Sequence, residues 1–320
     1  MMIKNILIKA RQGQDLSKED ALKLLNVKNG SEDFYELLSA ANQLTREEFD
    51  NKGYVFAQIG INVEPCSVDC KFCSMGKSHF AMNETKKKSI NEILEETNIL
   101  IQDGVDDLFL MTTADYPVED YLKIAREVRN KIPDDVRLIA NIGDFDKDTA
   151  FELKEAGFTG AYHINRLREG IDTTVKPETR IKTLDAIKEA GLEFYYCVEP
   201  IGPEHDYEEM VEEMIRARDY DVDVMAVMRR TPVKGTPLFD KGQITALELT
   251  KIAAVTRIVS KPQRAMNVHE VIPMTLLAGV NLLCAEVGAN PRDTVSDTET
   301  GRGCNVHLIR ELLIEAEYDV

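Results

Sequence analysis

Tyr54-Val-Phe-Ala-Gln-Ile-Gly-Ile-Asn-Val63, followed by Glu64-Pro65-Cys66-Ser67-Val68-Asp69-Cys70-Lys71-Phe72-Cys73, decides how this chain is read. The first ten residues are a β-branched and aromatic run of strand type. The second ten carry three cysteines in a C-x3-C-x2-C spacing. A short loop with such spacing can wrap a cube-shaped iron–sulfur cluster and ligate three of its irons. A fourth local cysteine, which would close the site, is absent. An iron left without a protein ligand keeps a position for a small molecule, as open catalytic metal sites do and closed structural ones do not.

Downstream of this stretch, strand-like and helix-like segments alternate. Further strands are expected at 107–113, 137–142, 160–165, 193–200, 223–229, 264–269 and 281–287. Amphipathic helices are expected between them at 89–102, 118–131, 147–156, 177–190, 207–218 and 246–259, with a short apolar helix at 272–277 and a closing one at 305–317. Gly104, Gly157 and Gly191 stand where helix C-terminal caps belong. Eight strands in alternation with helices make a (β/α)8 barrel of TIM type, an α/β fold with parallel strands. No G-x-G-x-x-G follows the first strand, which weighs against an open dinucleotide-binding sheet. Barrel enzymes act at the C-terminal ends of their strands, and the cysteines lie just past the first.

Upstream, residues 1–53 read as an N-terminal helical extension, leaving 54–320 as the barrel. Ser17 caps one helix ahead of Asp20, Ala21 and Leu24. A second helix spans about 31–51 and is stopped at Gly53.

Composition narrows the function. A net charge of −17 argues against nucleic acid as partner, since phosphate contacts need basic patches. No run approaches the roughly 20 apolar residues of a membrane span. The first residues lack the apolar core of a secretory signal, so a cytoplasmic location is expected. Six cysteines are too few for a disulfide framework, and clustered ones then point to metal or catalysis.

The cysteine spacing leaves rivals open. His79 could complete a structural zinc site, although the second cysteine pair usual in zinc knuckles is missing. A scaffold or electron-transfer cluster is the other rival, although ferredoxin-type sites use four cysteines. The aromatic Phe72 directly before the third cysteine adds a distinguishing mark. Cys66-Ser-Val-Asp-Cys70-Lys-Phe-Cys73 resembles the signature of the radical S-adenosylmethionine (SAM) superfamily, C-x3-C-x-aromatic-C. Over nearly its whole length the chain resembles a biotin synthase-like clade within it. That clade holds biotin synthase, the related [FeFe]-hydrogenase maturase, methylornithine synthase and the [Fe]-hydrogenase cofactor proteins. Val233-Lys234-Gly235-Thr236-Pro237-Leu238 matches a stretch of biotin synthases, and Gly301 to Gly303 is similar to the tail of the [Fe]-hydrogenase cofactor proteins.

The resemblance implies that Cys66, Cys70 and Cys73 hold a [4Fe–4S] cluster whose fourth iron binds SAM. Phe72 would pack on the adenine, Asp115 would meet the SAM amino group, and Arg180 would pair with its carboxylate. Asn165, and then Glu169, would reach the ribose. An external one-electron donor of ferredoxin or flavodoxin type would reduce the cluster. Reductive SAM cleavage would yield a 5′-deoxyadenosyl radical that abstracts hydrogen from a small polar metabolite, in cofactor or metallocentre biosynthesis.

From alternation on the fifth strand, Tyr195, Cys197 and Glu199 share one face, which makes Glu199 a catalytic candidate at the barrel's top. His269 at the end of the seventh strand is the second. Asn141, Glu270, Glu286 and one of Arg229 and Arg230 are further candidates for the same cavity. By the same resemblance, biotin synthase's second cluster would need ligands at Leu110, Ile139, Tyr195 and His269. None of these is a cysteine, so the chain is not expected to be biotin synthase. Cys197, Cys284 and Cys304 remain as possible ligands of a different auxiliary cluster.

Overall fold

The computed structural model describes residues 3–288, 290, 292–296 and 303–320. Among them, eight parallel strands close into a barrel: β1 (Tyr54–Gly60), β2 (Asp107–Met111), β3 (Arg137–Asn141), β4 (Gly160–Tyr162), β5 (Glu193–Ile201), β6 (Val224–Arg229), β7 (Ala265–Val268) and β8 (Leu282–Val287). Closure is made by β8 against β1, with Phe56 opposite Cys284 and Gln58 opposite Glu286. The TIM-type fold read from the alternation is therefore the fold observed.

Three helices precede the barrel, α1 (Lys4–Arg11), α2 (Lys18–Leu25) and α3 (Glu32–Glu48). Six more follow β1 to β6: α4 (Ile90–Asp103), α5 (Val118–Arg129), α6 (Lys147–Glu155), α7 (Pro177–Ala190), α8 (Tyr207–Asp219) and α9 (Ala246–Ser260). A 3-10 turn at Pro273–Ala278 stands in the seventh position, and α10 (Val306–Glu315) closes the chain.

Local chemistry sets these boundaries. Ser17 accepts from the Asp20 N–H at the start of α2, and a reciprocal Ser89–Glu92 capping box opens α4. The α3 helix ends earlier than Gly53 suggested. Asp50 and Asn51 take left-handed conformations, φ 49° and 58°, which stop it at Glu48. Residues 160–165 are strand only as far as Tyr162, because the chain turns off the barrel there. Residues 61–63 likewise leave the barrel: Asn62–Val63 pairs antiparallel with Lys86–Lys87 and frames the cysteine loop.

The barrel interior is layered. At its N-terminal end Asp107, fully buried, takes both Arg264 Nη atoms at 2.8 Å and the Tyr195 hydroxyl at 3.1 Å. Above this lies a cycle of four rings, Phe56, Phe109, Tyr162 and His269, with successive centroids 4.8, 6.2, 5.4 and 5.9 Å apart. The rings are a floor, and what lies above them is open.

Candidate active site

The three cysteines sit on a loop stitched to its neighbours mostly by backbone. Cys66 N–H donates to the Met75 carbonyl at 2.8 Å, and Cys73 N–H to the Cys70 carbonyl at 3.0 Å. Lys71 N–H donates to the Asp172 carbonyl at 2.9 Å on the loop after β4, and Thr174 Oγ1 donates to the Ser67 carbonyl at 2.9 Å. From the loop after β6, Leu238 N–H donates to the Lys71 carbonyl at 3.1 Å. The Val233–Leu238 stretch thus buttresses the cysteine loop. Its Gly235 takes φ 96° and packs so closely on Ala81 that an added Cβ would come within 3.3 Å.

One large cavity, about 1210 Å³ including its open mouth, runs from this loop down to the ring floor. Cys66, Cys70, Cys73 and Phe72 form one wall. Burial pushes the Cys70 thiol up to about 11, and it raises Cys73 as well, before the neighbouring Cys70 adds to it. Thiols of this kind ionise on taking up metal, not before it. His79 does not join them as a ligand. Its Nε2 faces the carbonyls of Cys70 and Cys73, each at 3.1 Å, and its Nδ1 faces Ser78 Oγ at 3.1 Å. Three thiols with no fourth cysteine or histidine joining them among the described residues fit a cluster held at three irons with one iron open.

Across from the cysteines, Arg180 is buried and lines the cavity. Its Nε donates to Glu169 and its Nη1 to Asp144, both at 2.9 Å, while its Nη2 is buried with no partner among the described residues. Asp144 also accepts from His163 at 3.0 Å. Burial raises the Asp144 carboxyl, but His163 and Arg180 together bring it below its ordinary value. This arrangement fixes a guanidinium with a free donor edge, suited to a carboxylate. Thr112, Thr113 and Ala114 after β2, with Ile142 and Gly143 after β3, complete this end. Any side chain at Gly143 would collide with the Ala114 carbonyl, its Cβ only 2.5 Å away.

Lower down, Glu199 at the top of β5 lines the cavity with only 6% of its surface exposed. Burial raises its carboxyl and the nearby Arg166 pulls it back, their closest approach being 3.6 Å. Arg166 itself is penalised by burial but held firmly charged by Cys70, Glu199 and Glu169. Its Nε has no hydrogen-bond partner among the described residues. His269 lines the same space, and burial, then Arg292, lowers it to about 3, so it is a neutral imidazole at working pH. Asn141 and Arg230 also face the cavity, whereas Arg229 turns to Glu270 and donates to its two carboxylate oxygens at 2.6 and 2.8 Å. Glu286 is buried against Arg292.

Three expected SAM contacts do not line the cavity. Asp115 is exposed and takes the Ser67 N–H at 2.6 Å, so it braces the cysteine loop from outside. Asn165 turns away from the barrel axis and donates to Glu213 of α8 at 2.9 Å. Glu169 lies behind Arg180 and also takes the Arg166 N–H at 3.1 Å, which makes it a support for the guanidinium. Leu110 also departs from its assigned place. Its neighbours Phe109 and Met111 face the cavity, so alternation turns it toward the helices. On β5 the inward thiol is Cys197, one layer above Tyr195 and beside Tyr162. Cys284 and Cys304 line a second, smaller cavity that Cys197 does not reach. Of the Gly301–Gly303 tail, residues 301 and 302 lie outside the described residues.

The neutral histidines have a measurable consequence. His269, His163 and His205 are all lowered, in each case chiefly by burial. Unfolding frees them to take up protons at their ordinary value, so their contribution to stability is complete above about pH 6.5 and is lost as pH falls below it. Thermal unfolding followed from pH 8 to pH 5 is expected to show stability falling below about pH 6.5. In His269→Gln that slope should be shallower by up to about 1.4 kcal/mol per pH unit. An unchanged slope would mean that His269 is not held neutral.

A barrel with three thiols gathered at its C-terminal face suits an iron–sulfur cluster. Residues 64–228 match the family described as the Radical SAM superfamily, more than half of the chain, and the protein belongs to it. Its cofactors are a [4Fe–4S] cluster and SAM. Among curated sequences it is similar to biotin synthases. That of Pelotomaculum thermopropionicum is 29% identical over 301 residues, covering 88% of this chain and 91% of that protein. That of Clostridioides difficile is 28% identical over 262 residues, covering 78% and 79%. Among solved structures, HydG, a maturase of the [FeFe]-hydrogenase, superposes with a TM-score of 0.83 at 18% identity, covering 99% of this chain and 75% of that one. Methylornithine synthase (PylB) also gives 0.83, at 20% identity, covering 97% and 95%. Among the described residues, no helix is long and apolar enough to cross a membrane.

Proposed function

We propose that this chain abstracts a hydrogen atom from a small polar metabolite held between the cysteine wall and the ring floor, in the biosynthesis of a cofactor or metal centre. The observation that carries this reading is the lower half of the cavity, where Glu199, Arg166 and Asn141 stand over an aromatic floor. Few convergent polar groups above apolar rings favour a compact ligand with hydrogen-bonding ends. When bound, the cluster and SAM supply a 5′-deoxyadenosyl radical, with the electron coming from a donor of ferredoxin or flavodoxin type.

The chain's own residues hold and orient. Cys66, Cys70 and Cys73 hold the cluster, Phe72 packs on the adenine, and Arg180 receives the SAM carboxylate on its free edge. Glu199 accepts a donor of the substrate, and neutral His269 offers a hydrogen bond without adding charge. Tyr162 and the rings below exclude water from the reacting end. Assembly of a metal centre or cofactor is also in keeping with the relatives, since HydG is a hydrogenase maturase.

We infer further that sulfur insertion of the biotin synthase kind is not the reaction. Of the positions assigned to a second cluster, Ile139, Tyr195 and His269 carry no thiol, Leu110 is replaced on the inner face by Phe109, and the one thiol beside them on β5 is Cys197. The test is anaerobic reconstitution with iron and sulfide, then dithionite and SAM, followed by an assay for 5′-deoxyadenosine. Product, with a SAM-induced change in the cluster's EPR signal, is expected. Neither appearing would leave an iron–sulfur scaffold or electron carrier as the function. Formation of biotin from its desthio precursor would overturn the exclusion of sulfur insertion alone.

A further inference from the structure

His79 is built into the cysteine loop in a way that the three-cysteine motif does not require. Two carbonyl acceptors, Cys70 O and Cys73 O at 3.1 Å each, require a ring proton on Nε2, while Nδ1 pairs with Ser78 Oγ at 3.1 Å and lies 3.7 Å from Asp69 Oδ1. Ser78 is anchored in turn, its N–H donating to Asp69 Oδ1 at 2.8 Å. Asp69 lies between the first two cysteines in the left-handed region, φ 50°. The His79 side chain is 9% exposed, and a Cβ at Gly76 would overlap its ring. The loop therefore keeps a glycine where the imidazole lies. Asp69, Gly76, Ser78 and His79 form one unit behind the ligands.

We propose that His79 is a positioning residue for the cluster, its Nε2–H offsetting the carbonyl dipoles of two ligating residues and so raising the cluster's reduction potential. Reduction adds one negative charge beside carbonyl oxygens that already carry partial negative charge. In a poorly screened interior such dipoles oppose the added electron unless a donor faces them. Hydrogen bonds around a cluster and its ligands tune its potential and hold ligand geometry. The proposal goes beyond the substrate reading and rests only on the cluster at these cysteines.

Wild type, His79→Phe and His79→Gln are to be reconstituted anaerobically, without SAM, and compared for iron per chain and for midpoint potential by EPR-monitored titration. The phenyl ring fills the site without a donor, and the glutamine amide restores one. At the wild-type midpoint, the reduced-to-oxidised ratio of His79→Phe is expected to fall about tenfold, a shift of about 59 mV for one electron. His79→Gln should recover at least half of that shift. If the phenylalanine variant sheds its iron, retention decides: iron kept with Gln and lost with Phe supports the proposal. Iron lost from both, a wild-type midpoint in His79→Phe, or equal shifts in the two variants would overturn it. A wild type that takes up no iron would instead overturn the cluster site itself.

Discussion

Cys70→Ala is expected to abolish both the cluster and SAM cleavage while leaving the barrel folded. Cys70 is the one of the three whose residue as a whole is buried, and it lines the cavity with Cys66 and Cys73. With it gone, two thiols remain, and the described cavity wall offers no substitute because both His79 nitrogens are engaged. The backbone of the loop depends little on that sulfur. Cys70 contributes its carbonyl to the Cys73 N–H and to His79, and an alanine keeps both. The unloaded variant should therefore unfold within about 1–2 kcal/mol of the unloaded wild type, an ordinary cost for one truncated side chain. Iron and sulfide analysis after reconstitution, with a 5′-deoxyadenosine assay, checks it. Cys197→Ala is the informative partner. If the chain holds one cluster, that variant keeps the iron content and EPR signal of wild type. Loss of iron from Cys197→Ala would reveal an auxiliary cluster in the barrel. Full iron in Cys70→Ala would refute the three-cysteine assignment.

The fold could be read from the chain because barrel strands are buried on both sides and appear as short apolar runs between capped helices. Ser17, Ser89, Gly104 and Gly191 mark real helix ends, each through its own local hydrogen bonds or left-handed backbone. The missed boundary at α3 had a local cause too: two consecutive polar residues, Asp50 and Asn51, did what the glycine was expected to do. The cysteine loop was legible for the same reason, since its three cysteines lie within eight residues. The site's second half was not, because which way a loop residue turns after a strand ends is settled by neighbours distant in sequence. Asn165 was drawn outward by Glu213, 48 residues later, and Asp115 by Ser67, 48 residues earlier. One signal went unused. Tyr162 faces the cavity, and carrying the two-residue period past the end of β4 places Arg166 on the same side and Asn165 on the other. That period would have selected Arg166. Arg168, two residues on, breaks it with φ 57° and turns to Asp172.

Arg180 offers the second large effect, and here affinity and stability are entangled. Arg180→Ala removes the free Nη2 edge, but it also leaves Glu169 and Asp144 without the cation between them. Truncating one member of a buried ionic network costs about 3–5 kcal/mol, so the alanine variant is expected to lose stability along with SAM binding. Arg180→Lys separates the two effects. An ammonium can keep one carboxylate neighbour, but it lacks the planar fork that touches Glu169, Asp144 and a ligand at once. Arg180→Lys should therefore stay folded and bind SAM at least tenfold more weakly, with a cluster signal that no longer changes at SAM concentrations saturating for wild type. Glu169→Gln tests the support behind it. It keeps the side chain's shape but weakens the hold on Nε, and should weaken SAM binding by a smaller factor at unchanged iron content. Equilibrium SAM binding to the reconstituted proteins, read from the EPR change, distinguishes these outcomes. Wild-type affinity in Arg180→Lys would mean that the buried guanidinium serves the fold alone, and that the SAM carboxylate is met elsewhere on the cavity wall, where Arg166 also presents a guanidinium nitrogen without a hydrogen-bond partner among the described residues.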